Sequence, residues 1–242
     1  MKNKTMLIIL LIIGAVILSG CADKSEKTNV PTNLITDDEI KAIKISENTE
    51  NLFREYTDDI NNWKSINRGG DVYKDVNIQI AEESDHIKEG SKSIRVDYTK
   101  SEMTDYINSS TNRPSRMPRS GVDLVDKDSH RINLSAWKDY NAVSFWLFQP
   151  NIETKVRIYI HLGELGEGEN YSVYYAGKEF DGKVAGWSHV IIPFSKFEWA
   201  EWSTLHYPFY PDNLNILEVS FDSDDPVQFT TYIDGFRPIK IE

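Results

Sequence analysis

Val156-Arg157-Ile158-Tyr159-Ile160-His161 places a branched apolar side chain at every second position, with a basic, phenolic or imidazole group between. Successive side chains of a strand point to opposite faces, so this stretch has one face for a core and one for water or a ligand. The same period of two recurs on both sides of it. Ile94, Val96 and Tyr98 alternate with Arg95 and Asp97; Val143, Phe145 and Leu147 alternate with Ser144, Trp146 and Phe148; Leu217, Val219 and Phe221 alternate with Glu218, Ser220 and Asp222. Strands are expected near 52–57, 72–81, 91–99, 119–125, 141–149, 154–162, 168–176, 186–193, 215–222 and 229–236. Gly, Asn, Asp or Pro punctuates most of the junctions, for example Glu89-Gly90, Pro150-Asn151, Asp181-Gly182 and Pro211-Asp212. About ten short strands without interleaved helices predict an all-β fold, an antiparallel β-sandwich of the jelly-roll kind. Residues 101–120, with Arg113, Arg116 and Arg119 among prolines and serines, read as a long mobile loop.

The composition fits one such domain. Of 242 residues, 40% are hydrophobic and 12% aromatic, enough for a core. Asp and Glu number 38 against 27 Lys and Arg, a net charge of −11 that repels phosphate backbones and argues against nucleic-acid binding.

The N-terminus reads as an address. Lys2 and Lys4 precede an apolar run from Met6 to Leu18, and Leu18-Ser19-Gly20-Cys21 resembles a lipobox in which the cysteine is acylated and becomes the mature N-terminus. Residues 1–20 are thus expected to be a lipoprotein signal peptide. Residues 21–35 read as a polar tether, 36–48 as a short helical lead-in, and 49–242 as the sandwich. Thr36 and Glu39 have capping-box spacing. Cys21 is the only cysteine, so the domain has no disulfide to rely on. The expectation is an extracytoplasmic monomer attached to the cell membrane through lipid on Cys21, or to the outer membrane in a Gram-negative cell.

Four local motifs then occur in a recognisable order: HIKEGSKSIRVDY at 86–98, INLSAWKDYNAVSFWL at 132–147, GWSHVIIPFSKF at 186–197 and TYIDGF at 231–236. Together they resemble galactose-binding-like jelly rolls, nearest to family 11 carbohydrate-binding modules and the related CIA30-type domain. The family's usual opening segment is approximated by FREY at 53–56 and Trp63, with Arg54 interposed. The resemblance implies a non-catalytic domain that holds a polysaccharide or oligosaccharide on a concave sheet. It also keeps open a protein partner docked on the same sandwich.

Sugars offer apolar C–H faces fringed by hydroxyls, so their recognition needs flat rings beside hydrogen-bonding side chains. The candidates are Arg157, Tyr159 and His161 with Tyr174 on the next strand, then Asp97 and Arg95 on theirs. Trp146 and Phe148 lie opposite their strand's core positions and need either a ligand or a cover. Phe197, Trp199, Trp202, His206, Tyr207, Phe209 and Tyr210 form either a binding platform or a plug for one end of the sandwich. Acidic groups gather at Asp222, Asp224 and Asp225 and at Glu164, Glu167 and Glu169, without EF-hand spacing. Glu55 and Asp234, on the first and last strands, are the candidate pair for a structural calcium ion; no other cofactor is expected. Five scattered histidines give no zinc spacing.

An enzyme is the competing class. Glu198 and Glu201 are close enough in sequence to suggest a glycosidase pair, and Arg157, Tyr159, His161 and Tyr174 can imitate a lyase's proton-abstracting set. Neither group sits in a recognisable catalytic motif, and no nucleophile elbow or phosphate-cradling loop is present.

Overall fold

The computed structural model describes residues 33–46, 57, 60–67, 76–100, 107–108, 113–114, 120–124, 134–166, 170–180, 185–223 and 225–242. All belong to one compact unit, Thr32–Glu242. In chain order its elements are α1 (Asp37–Ala42), β1 (Trp63–Asn67), β2 (Val76–Glu83), β3 (Ser93–Lys100), β4 (Ile107–Asn108), β5 (Arg113–Pro114), β6 (Ser120–Leu124), β7 (Ala142–Gln149), β8 (Val156–Leu165), β9 (Tyr171–Phe180), β10 (Gly186–Pro193), β11 (Glu198–Trp199), β12 (Ile216–Ser223) and β13 (Val227–Ile239).

The strands form a six-stranded sheet in the order β1-β6-β12-β8-β9-β11 and a five-stranded sheet in the order β10-β7-β13-β3-β2. Every paired strand in them is antiparallel. The short β4–β5 pair stands apart. This is the sandwich expected from the alternation. The inner faces supply the core: Val156, Ile158, Ile160 and Leu162 of β8 and Leu217, Val219 and Phe221 of β12 pack with Val143, Phe145 and Leu147 of β7 and Ile94 and Val96 of β3. Each large apolar side chain removed from water contributes about 1.5–3 kcal/mol. With no disulfide in the domain, these layers hold it together.

β1, the two-residue β11 and the β4–β5 pair, which lies within the stretch read as a loop at 101–120, were not among the expected strands. The expected strand at 52–57 falls almost wholly outside the described residues, as do the signal and tether segments, Cys21, Glu55 and most of the 101–120 loop. The lead-in helix forms as α1. Thr36 is its N-cap and accepts from the Glu39 backbone N–H, while the Glu39 carboxylate accepts from the Thr36 backbone N–H. Glu39 also pairs with Lys196, and Asp37 with the buried Lys178 of β9 at 2.9 Å, so α1 is clamped to the sheet by charge as well as capping. Just before α1, Asn33–Ile35 adds to the edge of β9: the Ile35 N–H donates to Gly177 O and the Gly177 N–H to Asn33 O.

Candidate functional site

Register decides which side chains share a face. Antiparallel partners lie on the same side of a sheet. On β8, Tyr159 is opposite Gly177 of β9 and Ser220 of β12; His161 is opposite Tyr175 and Glu218; Arg157 is opposite Glu179 and Asp222. Beyond Tyr175 the row continues to Glu198 of β11. Since Ile158, Ile160 and Leu162 are core, all of these residues lie on the outer face of the six-stranded sheet.

Three expected binding residues, Arg157, Tyr159 and His161, therefore do share an outer face, and the structure adds Tyr175, Tyr171 and Trp202 to them. The ring centroids of Tyr159 and Tyr175 are 5.9 Å apart and edge-on, and those of His161 and Tyr175 are 5.9 Å apart and stacked. Trp202 lies 6.1 Å from His161 and 6.2 Å from Tyr171. Polar groups border the rings. Arg157 Nη2 is 3.2 Å from Asp222 Oδ2, and His161 Nε2 is 2.7 Å from Ser220 Oγ.

Depth along this row is graded, and that corrects a simple exposed-face picture. His161 and Glu218 are 1% and 2% exposed and Tyr159 is also buried, whereas Tyr175 and Tyr171 are half-exposed and Trp202 is 41% exposed. Tyr159 and His161 thus form a floor, and Tyr175, Tyr171 and Trp202 offer the rings that a ligand can reach. Glycine makes the floor flat. A Cβ on Gly177 would stand 2.6 Å from the Tyr159 ring and 2.4 Å from Ile158 O, so the Tyr159 ring lies directly over the Gly177 backbone.

Tyr174 does not join this set. It pairs with Leu162, faces the core and donates its hydroxyl hydrogen bond to Tyr207 O. Burial pushes its phenol pKa above the ordinary value. β9 is buried on both faces along much of its length, so the alternation that would separate Tyr174 from Tyr175 is absent there.

Arg95, Asp97 and Trp146 lie on the outer face of the other sheet. Arg95 donates from Nε and Nη2 to Asp97 at 3.2 and 3.1 Å, and Asp97 also accepts from Thr230 Oγ1 at 2.6 Å. Trp146 stacks on His189 at 4.4 Å and donates from Nε1 to Glu89 at 2.8 Å; Glu89 in turn is ion-paired with Arg237. Burial and the nearby Arg237 cation hold the His189 imidazole below its usual pKa. The seven expected residues therefore occupy three surfaces, and those on the two outer faces cannot touch one ligand ring together.

The second aromatic cluster is mainly a plug. Phe197 is part of the core and Phe209 packs against it, while Trp199 stacks on His206 at 4.5 Å. Trp202 is the member that reaches the outer row of the six-stranded sheet. Of the calcium candidates, Asp234 is buried and its carboxylate accepts from the backbone N–H groups of Lys88, Glu89 and Gly235 and from Thr57 Oγ1. A cation would have to displace these donors. Burial raises the Asp234 carboxyl pKa against their pull. Asp222 is committed to Arg157, and Asp225 accepts from Thr154. Among the described residues no three His, Cys, Asp or Glu side chains gather as a metal site.

No family model matches the chain, and no curated protein matches it. Solved structures do. A family 11 carbohydrate-binding module from Clostridium thermocellum, in complex with a β-1,3-1,4-mixed-linked tetrasaccharide, is 15% identical; the match covers 74% of this chain and 89% of that one with a TM-score of 0.52. The family 11 module of the cellulosomal cellulase Lic26A-Cel5E of Clostridium thermocellum is 15% identical over 74% of this chain and 88% of that one, with a TM-score of 0.50. The structural neighbours are thus carbohydrate-binding modules, and the likeness establishes the shared β-sandwich fold.

Proposed function

We propose that this chain is a non-catalytic, carbohydrate-binding lipoprotein that holds poly- or oligosaccharide on the outer face of its six-stranded sheet. The observation that carries the reading is the ring row of Tyr159, Tyr175, His161, Trp202 and Tyr171, bordered by the Arg157–Asp222 ion pair and by Glu198. Planar groups lying along a sheet stack on the C–H faces of sugar rings, and the fixed guanidinium and carboxylates beside them exchange hydrogen bonds with hydroxyls. The likeness in fold to modules that bind glycans supports the assignment. Lipid on Cys21 would keep the domain on the outer side of the membrane.

The test is affinity electrophoresis of the full chain in detergent through gels containing β-glucan, xylan, mannan or alginate, with reaction products assayed in parallel. Retardation by at least one glycan, weakened about tenfold by Tyr175→Ala and by Trp202→Ala but kept by Tyr207→Ala, is expected. Tyr207 is 39% exposed and outside the ring row, so it controls for loss of a surface aromatic. Retardation by none of the four, or new reducing ends or an unsaturated product, would contradict the reading. Cys21→Ser should abolish incorporation of labelled fatty acid, and undiminished labelling would exclude that anchor.

A further inference from the structure

The outer face of the five-stranded sheet carries a second strip of rings with no part in the site above. Trp187 of β10 is the register partner of Phe148 of β7, Phe148 lies 5.6 Å from Tyr232 of β13, and Tyr232 is the register partner of Arg95 of β3. His86, from the β2–β3 connection, stacks on Tyr232 at 4.3 Å and meets Phe148 edge-on at 5.8 Å. Trp187, Phe148 and Tyr232 are half-exposed and His86 is exposed. Their ring contacts among the described residues are with one another.

We propose that this strip is a second glycan-binding face, on the opposite side of the sandwich from the first. The rings occupy three adjacent strands, β10, β7 and β13, and Arg95 of β3 continues the row; at about 4.8 Å per strand the rings cover about 10 Å and the whole row about 14 Å, the length of a short oligosaccharide. At β13 it is a single ring wide, and at β7 and β10 the next row of the same face, Trp146 stacked on His189 at 4.4 Å, lies beside it. On one flank stand Lys88, whose ammonium lies over Trp146, and the Glu89–Arg237 pair; on the other Asp97 accepts from Thr230 and from Arg95 at the end of the row. A run of rings with charged, hydrogen-bonding groups on both sides, Lys88 lying over the adjoining Trp146 and Glu89 accepting from its Nε1, complements a sugar chain, whose apolar faces run along its length and whose hydroxyls project to either side. A protein partner would need a broader apolar centre with its charges pushed to the rim. This face stands on its own residues and does not depend on the six-stranded sheet's binding anything.

The experiment labels the full chain, in detergent, with 5-fluorotryptophan and follows its six tryptophans by fluorine NMR. The Trp187 and Trp202 resonances are assigned with Trp187→Phe and Trp202→Phe. The probes are hexasaccharides of cellulose, mixed-linkage β-glucan, xylan and mannan. The expected result is a saturable shift of the Trp187 resonance with at least one probe, weakened about tenfold by Tyr232→Ala, with the resonance of the buried Trp137 unchanged as a check on folding. Movement of Trp187 without Trp202 would uphold this face and contradict the other one. Movement of Trp202 alone would overturn this proposal and leave the first reading standing. No movement of either would overturn both. A Trp187 shift that follows protein concentration without sugar would overturn it in favour of self-association.

Discussion

Replacing Gly177 by alanine tests the packing beneath the ring row with a single methyl group. A Cβ built at Gly177 stands 2.4 Å from Ile158 O and 2.6 Å from the Tyr159 ring, where ordinary contacts begin near 3.4 Å. Something must move by about 1 Å. One obstacle is the backbone of a central strand, and the other is a buried ring already in contact with Tyr175 and His161. Overpacking of this kind costs about 1–3 kcal/mol. For a domain of this size each kcal/mol lowers the melting midpoint by about 2–4 °C, so a loss of about 2–12 °C is expected for Gly177→Ala. The assay is paired thermal and urea unfolding, with Gly166→Ala as the contrast. There the nearest atom to a new methyl is 3.6 Å away, and the change should stay within about 0.5 kcal/mol. Equal midpoints for Gly177→Ala and the native chain would refute the claim that Tyr159 lies on the Gly177 backbone.

Asp234→Ala removes the acceptor for three backbone N–H groups and the Thr57 hydroxyl, and chemical denaturation should show a loss of about 3 kcal/mol or more, because buried donors are left unpaired. The Glu39 carboxyl is pulled down to a pKa of about 2, first by its hydrogen bond from Lys196 and then by the Thr36 backbone N–H. Its folded pKa lies below the unfolded one, so its contribution is complete above about pH 4.5 and is lost as pH falls toward 2. Glu39 is 41% exposed, which with solvent screening keeps the effect below about 1 kcal/mol. Glu39→Gln should flatten that part of the stability–pH curve, read by urea midpoints at stepped pH.

The two-layer fold was legible because the core rows of β3, β7, β8 and β12 alternate strictly, and hydrophobic burial enforces that period. What alternation cannot convey is which sheet a strand joins. Arg95 and Asp97 follow the same in-out rhythm as Arg157 and Tyr159, yet the two pairs point away from each other across the sandwich. β9 hid its register for a different reason. In YSVYYAGKEF both faces are largely covered, so polarity does not distinguish Tyr174 from Tyr175. Gly177 was the available signal, since glycine inside a strand marks the close approach of another group, here the Tyr159 ring. β1 gave little warning because its Trp and Ile, at 63 and 66, are spaced by three. Trp202 sits in a turn, with no period to place it, and reached the row only through the path of the chain after β11.

The central claim rests on Trp202 and the rings beside it. Isothermal titration of the full chain and of Trp202→Ala with the best-retained oligosaccharide measures it most directly. The account predicts binding by the native chain and an affinity about tenfold lower in the variant, equivalent to about 1.4 kcal/mol. Equal affinities, or no heat of binding with any glycan, would contradict it.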